Sequence, residues 1–292
     1  VVEAQHRYKR DIVVDALTRV GKILEAENIV DSCVAMSNER YRTSARILAN
    51  SHSWGFRKLH SNEMVSIDDC LVMHPECVMQ ANEVVASIEE GEGDDEINEA
   101  TVRRAPDTFH GVSLSVSQKS FFQGHIQAPQ VLSELVLKAV EDLGENLVCV
   151  DLYSGVGIFA LALAQKGHKV IAVEGNPYAV GDAHKNLDGL NATVVHSDVK
   201  KFRFDVHSFG DHCDVVVADP SREGITKEAI DALISCNAKR IVLVSCDPAA
   251  GARDISLLVG SGYELLRCVP IDMFGHTHHV EMVSVLQNNS KD

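Results

Sequence analysis

Residues 147–164, LVCVDLYSGVGIFALALA, combine an apolar strand, a turn that contains two glycines and an apolar helix. Gly155 and Gly157 stand at the turn, where residues without a side chain let a ligand approach the backbone and leave the helix N-terminus open. The same spacing, with Ala160 three residues later, fits the dinucleotide fingerprint, and it also fits a tight turn that binds nothing. We therefore expect a cofactor site at this turn of a Rossmann-like α/β domain, and these residues alone leave the class of cofactor open.

Beyond residue 125 the chain alternates apolar strands with helical segments. Continuous β-branched runs separated by helices predict a mostly parallel sheet that is covered on both faces. The last two apolar runs, 263–273 and 279–286, have no room between them for a crossover helix, so we expect an antiparallel hairpin at one sheet edge. The predicted parallel strands lie in LVCVDL (147–152), KVIAVE (169–174), TVVHSD (193–198), CDVVVADP (213–220) and RIVLVSC (240–246).

A polar or reactive residue ends four of these strands. Glu174 is placed to accept both hydroxyls of a ribose, either in an NAD enzyme or in an S-adenosylmethionine enzyme. Asp198 is placed to meet an adenine amino group, and it fits equally as the N-cap of the following segment. Because ligands bind at the carboxyl edge of open α/β sheets, we expect Asp219 and Cys246 on that edge. By itself, a cysteine at a strand end is more often packing than chemistry.

The first 118 residues have a mixed pattern that predicts a smaller α+β domain. We therefore divide the chain into a smaller domain over 1–118 and a larger α/β domain over 119–292. The alternation in GVSLSVSQKSFF, residues 111–122, predicts a strand. Because the sequence opens without Met, we expect that a preceding segment has been removed. An opening helix is predicted by apolar residues at helical spacing, namely Val13, Leu17, Val20 and Leu24.

The net charge of −15 is unevenly distributed. Residues 83–99 contain eight acids and no base, which predicts a solvated linker. Residues 40–60 contain five Arg or Lys and no acid, with Tyr41, Trp54 and Phe56 interleaved. Basic side chains neutralise phosphates and flat aromatic rings stack on bases, so this segment is the candidate nucleic-acid surface. The alternative is a basic surface strand pair with a core tryptophan.

Composition restricts the class of protein. The 292 residues are 45% hydrophobic and 24% charged, which is typical of a globular protein, and no apolar run is long enough to cross a membrane. Without a recognisable signal peptide, we expect a cytoplasmic protein, and we expect a monomer. The eight cysteines form no Cys-x-x-Cys pair, which argues against a metal site or a disulfide framework. We expect the clustered His276, His278 and His279 to shape a turn or contact phosphate rather than bind metal.

Six short motifs resemble, in order and spacing, those of the RNA 5-methyluridine methyltransferases. The resemblance is strong over the second half of the chain and looser over the first. It implies a class I S-adenosylmethionine-dependent methyltransferase domain beside a smaller RNA-binding domain, with tRNA or rRNA as the partner. Members often add an N-terminal TRAM-type domain, which we expect this chain to have lost or never had, and some carry an iron–sulfur cluster, whose cysteines are absent here. The motifs are SFFQ (120–123), DLYSGVGIFAL (151–161), VE (173–174), DPSREG (219–224), VSCDPAAGARD (244–254) and DMFGHTHHVE (272–281).

The resemblance also implies roles for individual residues. It places the nucleophile on Cys246 and the proton acceptor on Glu281. In this chemistry a thiolate adds to C6 of uracil, C5 takes the methyl group, and a base then removes the C5 proton. The family's cofactor contacts fall on Gln123, Tyr153, Glu174 and Asp219, which join Gly155, Gly157 and Asp198 as candidate cofactor residues. The candidate RNA contacts are Arg42, Arg46, Arg57, Lys58 and Arg222.

Four residues depart from the family pattern, since Ser154, Ser221, Asp247 and Ala250 stand where Cys, Pro, Asn and Thr are usual. Asp247 adds a negative charge beside the thiol, which opposes thiolate formation. Two alternatives stay open. One is a methyltransferase that acts on another nucleic-acid position or on a small molecule, and the other is a catalytically impaired RNA-binding protein or RNA chaperone with the same fold.

Overall fold

The computed structural model describes residues 2–88, 97–106 and 108–289 of the chain. Up to residue 138 the elements are α1 (Val2–Arg19), α2 (Ala26–Ile29), β1 (Ser44–Ala49), β2 (Trp54–Arg57), β3 (Met64–Ile67), α3 (Pro75–Ser87), β4 (Asn98–Arg103), β5 (Thr108–Phe109), β6 (Val112–Ser113) and α4 (Ala128–Lys138). They are followed by β7 (Val148–Leu152), α5 (Ile158–Gln165), β8 (Lys169–Glu174), α6 (Pro177–Asn186), β9 (Ala192–His196), α7 (Val206–Phe209), β10 (Val215–Ala218), α8 (Lys227–Ser235), β11 (Arg240–Ser245), α9 (Pro248–Val259), β12 (Tyr263–Ile271) and β13 (Glu281–Asn288). Short 3-10 helices cover Glu141–Leu143 and Val199–Lys201.

Two compact units divide the chain. The larger unit contains residues 1–36, 107–122 and 129–292, and the smaller unit contains residues 37–106 and 123–128. The predicted boundary between residues 118 and 119 differs from this division. The reason is that α1 packs against α9 and β12, so the first residues belong with the sheet of the larger unit.

Helix α1 joins the core of the larger unit through one face. Val13 and Leu17 are fully buried and share a hydrophobic cluster with Leu258 of α9 and Cys268 of β12. The predicted apolar stripe does not continue beyond them, because the helix ends at Arg19. Val20 and Leu24 are accordingly 43% and 91% exposed.

A seven-stranded sheet, in the order β12-β13-β11-β10-β7-β8-β9, forms the centre of the larger unit. Strands β7 to β11 are parallel, whereas β13 is antiparallel to both β11 and β12. The predicted parallel sheet with an antiparallel hairpin is confirmed, and β13 lies between β11 and β12, so that β12 forms the edge. Every residue of β10 and β11 is buried, as expected for central strands of a sheet covered on both faces.

The strand predicted over residues 111–122 is wrong for most of its length. Only Val112–Ser113 form a strand, β6, which pairs with β5. Beyond it lies a stretch that we name the serine segment, residues 114–122. Hydroxyl and backbone donors of Ser115, Ser117 and Ser120 bond to the buried Asp182 carboxylate of α6 at 2.7 to 3.1 Å. The alternating serines therefore face one helix rather than two sides of a sheet.

The smaller unit contains a four-stranded antiparallel sheet in the order β3-β2-β1-β4, with α3 packed on it. Its core includes Ile47, Trp54, Met73 and Cys77. The predicted α+β architecture is thus confirmed. The acidic stretch predicted as a linker falls partly on residues 89–96, which lie outside the described residues, and its flanks belong to α3 and β4.

All eight cysteines are free thiols, and five of them are buried, which agrees with a packing role for most of them. Over the described ranges, no helix is both long and apolar enough to cross a membrane. Within the same ranges, no group of three or more His, Cys, Asp or Glu is arranged to hold a metal ion.

Candidate active site

The carboxyl ends of β7, β8, β10 and β11 meet at one edge of the seven-stranded sheet, because these strands are parallel. Tyr153, Asp219 and Cys246 directly follow three of them, and Glu174 ends the fourth. Glu281 reaches the same edge from the opposite direction, as the first residue of the antiparallel strand β13. The expected placement of Asp219 and Cys246 on this edge is therefore confirmed.

The turn between β7 and α5 has the left-handed backbone that favours glycine, with φ of 55° at Gly155 and 92° at Gly157. A side chain at Gly155 would meet no atom within 4 Å, so the turn borders open space. The Gly155 N–H donates to Glu174 Oε2 at 2.9 Å, and the Asn176 N–H donates to Oε1 at 2.6 Å. These two bonds fix the Glu174 carboxylate beside the turn, and each oxygen keeps a lone pair for another donor.

Two buried polar atoms of this turn, Asp151 Oδ1 and Ser154 Oγ, have no hydrogen-bond partner among the described residues. Asp151 is fully buried, and its other oxygen accepts from the Ala160 N–H at 3.0 Å. Burial raises the pKa of Asp151 well above its usual range, with smaller contributions from Asp219 and Glu174. Unsatisfied buried polar groups are rare in folded proteins, so these two atoms mark a place where a ligand can supply the missing bonds.

Asp198 and Gln123 are placed outside the turn itself. Asp198 Oδ1 accepts from the Lys200 N–H at 3.0 Å, which is the capping role that the sequence left as an alternative. Burial and the Asp198 charge raise the pKa of Tyr153 to about 12. A role for Asp198 as a cofactor contact at the turn stays a prediction. Gln123 belongs to the smaller unit, where its backbone carbonyl accepts from Thr43 Oγ1 at 3.2 Å.

Cys246 and Glu281 are neighbours at the ends of two antiparallel strands. Ser245 of β11 pairs with Met282 of β13. Because these strands are antiparallel, Cys246, which follows Ser245, lies beside Glu281, which precedes Met282. The Cys246 thiol is half-buried, whereas Glu281 is only 4% exposed. Asp219 follows β10, the neighbour of β11 on its other side. A thiol and two carboxylates therefore converge at this point of the sheet edge.

The groups of this cluster change one another's protonation. Burial, together with the Glu281 and Asp219 carboxylates, raises the pKa of the Cys246 thiol to about 11, while Arg222 lowers it. Burial and the Asp219 charge raise the pKa of Glu281 to about 8, and burial raises the pKa of Asp219 to about 7. Several perturbed groups in one cleft are typical of an active site.

The first turn of α9 closes one side of the cluster. Asp247 caps this helix, since its Oδ1 accepts from the Ala250 N–H at 2.9 Å. A side chain at Gly251 would lie 2.2 Å from the Met282 methyl group and 2.7 Å from Ser245 Oγ, so the close approach of α9 to β11 and β13 requires glycine. The carboxylates that raise the pKa of the Cys246 thiol are those of Glu281 and Asp219. The expectation that Asp247 also opposes thiolate formation stays a prediction.

A cavity of about 580 Å³ opens beside Cys246. Arg222, His278 and His279 form part of its wall, and the exposed side of α1 forms another part through Ile12 and Arg19. This volume lies within the range of small-molecule sites and is sufficient for a nucleobase with its sugar.

The candidate RNA residues of the smaller unit are exposed, but most of them are paired with acids. Arg46 and Arg57 lie 3.4 and 2.9 Å from the Glu99 carboxylate. Arg42 differs, since its Nε donates to the Ser44 carbonyl at 3.1 Å. The remaining pair is Lys58 with Glu63, at 3.2 Å.

Two of the three aromatic residues predicted to stack on bases, Tyr41 and Trp54, are not available for stacking. Tyr41 and Trp54 are only 3% and 2% exposed. The Trp54 indole N–H donates to Asn82 Oδ1 at 2.8 Å, and the Tyr41 ring stacks on His125 at 4.6 Å between centroids. The stacking prediction is therefore wrong for these two rings, because both belong to the interior of the smaller unit.

The profile of the tRNA (Uracil-5-)-methyltransferase family matches residues 110–289, which is more than half of the chain. The chain belongs to this family. The predicted family and the predicted enzyme class, an S-adenosylmethionine-dependent RNA uracil-C5 methyltransferase, are thereby confirmed. The matched range contains the glycine turn together with Cys246 and Glu281.

Individual relatives of this tRNA (uracil-5-)-methyltransferase family member agree with the assignment. An uncharacterized RNA methyltransferase of Caldanaerobacter subterraneus subsp. tengcongensis is 27% identical over 98% of this chain and 80% of that protein. One of Porphyromonas gingivalis is 36% identical over 63% of this chain, an alignment that spans 40% of its own length. The tRNA (uracil-54, C5)-methyltransferase of Pyrococcus abyssi, solved in complex with S-adenosyl-L-homocysteine, is 22% identical with a TM-score of 0.72, over 96% of this chain and 83% of that chain. This last similarity confirms the class I methyltransferase fold.

Helix α1 contributes to this methyltransferase's site in a way that the motifs do not indicate. Ile12 and Arg19 line the cavity, although both stand more than 200 residues before Cys246 in the chain. One signal was present in the sequence. Lys9 precedes Val13 and Leu17 at spacings of four, which places an ionisable side chain on the buried face of the helix.

Proposed function

We propose that this methyltransferase transfers the methyl group of S-adenosylmethionine to C5 of a uridine in tRNA or rRNA, through a covalent bond between Cys246 and the uracil. The register of β11 and β13 carries the proposal, because it sets Cys246 beside Glu281 at the sheet edge that also holds the glycine turn. Cys246 lines the cavity and Glu281 is its neighbour across the strand pair, so the thiol and the carboxylate that C5 methylation of uracil requires stand side by side.

The glycine turn fits the methyl donor. Gly155 lets a ligand approach the backbone, and the fixed Glu174 carboxylate has lone pairs free for ribose hydroxyls. The unpartnered Ser154 Oγ and Asp151 Oδ1 are suited to a ligand's polar atoms. When bound there, S-adenosylmethionine supplies an electrophilic methyl group to C5 and leaves as S-adenosylhomocysteine.

The chain's own residues make C5 reactive and later release the product. The Cys246 thiolate forms a bond to C6 of uracil, and the electron pair of the C5–C6 double bond moves toward C5 and O4. After C5 has taken the methyl group, the Glu281 carboxylate removes the C5 proton. The electron pair of that C–H bond restores the double bond, the C6–sulfur bond breaks, and Cys246 departs as a thiolate.

Both residues must lose a proton before this sequence begins. The Cys246 pKa of about 11 and the Glu281 pKa of about 8 mean that the protonated forms dominate at neutral pH in the free protein. Burial and neighbouring carboxylates raise the pKa values of Cys246 and Glu281, and Arg222 lowers both by a smaller amount. We therefore assign Arg222 the role of stabilising the thiolate, in addition to contact with RNA at the cavity wall.

We also propose that Arg42, Arg46, Arg57 and Lys58 contact RNA phosphates. All four are exposed in the smaller unit. The acids that neutralise Arg46, Arg57 and Lys58 are themselves partly exposed, so phosphates can compete with them.

Covalent trapping tests the proposed function. On RNA that carries 5-fluorouridine, the wild type should form a protein–RNA adduct that survives a denaturing gel, because fluorine cannot leave as a proton. Cys246→Ala should form no adduct and no product. Glu281→Gln should methylate ordinary uridine once and then remain attached through the thiol, and peptide mass mapping should locate the RNA on Cys246.

Matched controls separate these effects from nonspecific damage. Cys70→Ala removes another half-buried thiol, and Glu264→Gln removes an exposed carboxylate on the adjacent strand β12. Both variants should retain wild-type turnover. Adduct formation or full turnover by Cys246→Ala would reject the proposed nucleophile.

A further inference from the structure

Lys9 and Asp272 form an ion pair in the interior of the larger unit, outside the chemistry described above. Lys9 is 1% exposed and Asp272 is fully buried. The Lys9 ammonium contacts Asp272 Oδ1 and also donates to the Phe274 carbonyl at 2.9 Å. A helix near one end of the chain thereby holds the segment that leaves β12 near the other end.

Gln5 strengthens the same attachment from one turn earlier on α1. Its Nε2 donates to Asp272 Oδ2, and its Oε1 accepts from the His276 N–H at 2.9 Å. The imidazole of His6 lies 3.3 Å from Asp272 Oδ2. Because residues four apart share a helix face, Gln5 and Lys9 together hold the segment at residues 272, 274 and 276.

The held segment, residues 272–280, connects β12 directly to the site. Asp272 follows Ile271, and Ile271 pairs with Glu281 across the two strands. His278 and His279, later in the segment, line the cavity beside Cys246. The Asp272 backbone is fixed as well, since its N–H donates to the Val34 carbonyl at 2.9 Å. The position of Asp272 therefore affects the positions of both Glu281 and the histidines in the cavity wall.

We propose that Gln5 and Lys9, acting through Asp272, are positioning residues that set Glu281 and the two histidines for removal of the C5 proton. A buried ion pair is a poor means of stabilising a fold, because apolar residues of similar volume often serve as well. Here Lys9 also bonds to the Phe274 carbonyl, and Gln5 bonds to the His276 N–H. These directional bonds fix geometry that apolar packing would leave loose.

Lys9→Met tests this inference, which rests on the proposed function. The Cys246 and methyl-transfer steps should proceed, but proton removal should slow by about 10- to 100-fold, since small misplacements of a reacting group have effects of this size. A methylated adduct on ordinary uridine RNA should accumulate on a denaturing gel. Affinity for S-adenosylmethionine should remain that of the wild type.

Two further variants distinguish positioning from stability. Arg240→Met breaks another ion pair, between the buried Arg240 and the exposed Asp142, at the amino end of β11, and it should lower stability without adduct accumulation. Lys9→Met combined with Asp272→Leu removes both charges and should recover stability while proton removal stays slow. If this double variant regains wild-type release of RNA, the pair is structural only and the inference is overturned.

Hydrogen exchange gives a readout that needs no turnover. Lys9→Met should accelerate exchange in residues 272–280, and Arg240→Met should leave that segment unchanged. Unchanged exchange in Lys9→Met overturns the inference whatever the activity. A wild type that forms no adduct would instead reject the proposed function, so the two failures are distinguishable.

Discussion

Glu281 is a carboxyl group whose burial reduces the stability of the folded state at alkaline pH. It is 4% exposed, and burial with the nearby Asp219 raises its pKa to about 8. Below the usual glutamate pKa, the group is neutral in both the folded and the unfolded chain, so its contribution to stability is fully present. As the pH rises from the usual glutamate pKa to about 8, ionisation lowers the free energy of the unfolded chain but not that of the folded chain. The free energy of unfolding therefore falls over this range.

Glu281→Gln should therefore stabilise the protein at alkaline pH. We expect a gain on the order of 2–4 kcal/mol at pH 8.5 and little change at pH 5, because glutamine cannot ionise in either state. Urea denaturation at the two pH values measures it. The exposed Glu264→Gln should show no such pH dependence, and an equal effect of Glu281→Gln at both pH values would contradict the raised pKa.

Residue placement could be predicted from the sequence where strand ends determine it. Asp219, Cys246 and Glu174 follow from runs of apolar residues and the parallel order of the strands. The ionisation of these groups could not be predicted, because it depends on burial and on charges from separate strands. The role of Asp198 could not be predicted for a different reason. An aspartate at this position suits both the capping of the next helical turn and contact with a ligand, so the sequence does not distinguish the two roles.

The serine segment shows how an element can be misread. Its alternation is that of a strand, but its donors converge on Asp182, a buried acid in α6. Burial acts to raise the pKa of Asp182, yet the bonds from Ser117, Ser120 and Ser115 outweigh it and hold the pKa below its usual range. The stabilisation is present above the usual aspartate pKa and is lost as the pH falls through the lowered value.

Asp182→Asn should loosen this segment. The amide keeps one acceptor oxygen but places an N–H₂ group against hydroxyl and backbone donors, which should cost about 1–3 kcal/mol. Faster hydrogen exchange of residues 114–122 and a smaller loss of stability in acid should accompany the change. Asp188→Asn, at an exposed position just after α6, is the control, and protection of the segment equal to the wild type would contradict the role of Asp182.

Helix α1 shows why some elements cannot be assigned to a site from sequence. Its existence follows from the spacing of Val13 and Leu17. Its partners, α9 and β12, lie more than 200 residues away, and no local pattern records such contacts. Proximity in the sequence assigns residues 1–36 to the smaller domain, whereas their packing places them in the larger unit.

At the scale of the molecule, the net charge of −15 conceals a local basic surface. Arg42, Arg46, Arg57 and Lys58 all stand on the smaller unit, where Glu63 and Glu99 neutralise part of their charge. Composition alone argues against a polyanionic partner, whereas the placement of charge permits one. Binding should depend on salt through these few residues.

Arg42→Ala combined with Arg46→Ala should weaken RNA binding and reduce the slope of log affinity against log salt by up to about two, since each lost phosphate contact removes nearly one released ion. Filter binding across a salt series measures the slope. Lys138→Ala with Lys239→Ala removes the same charge from the larger unit and should leave the slope unchanged. Equal slopes for the first variant and the wild type would place the RNA surface elsewhere.

The packing of α1 against α9 and β12 has a consequence for biosynthesis. Val13 and Leu17 emerge from the ribosome more than 240 residues before their partners Leu258 and Cys268. During that interval α9 and β12 are not available to cover the apolar face of the helix, although both segments of the smaller unit have already been made. A nascent chain can therefore bury this face of α1 fully only after α9 and β12 have been translated, and a ribosome that stalls before them leaves a chain prone to aggregation.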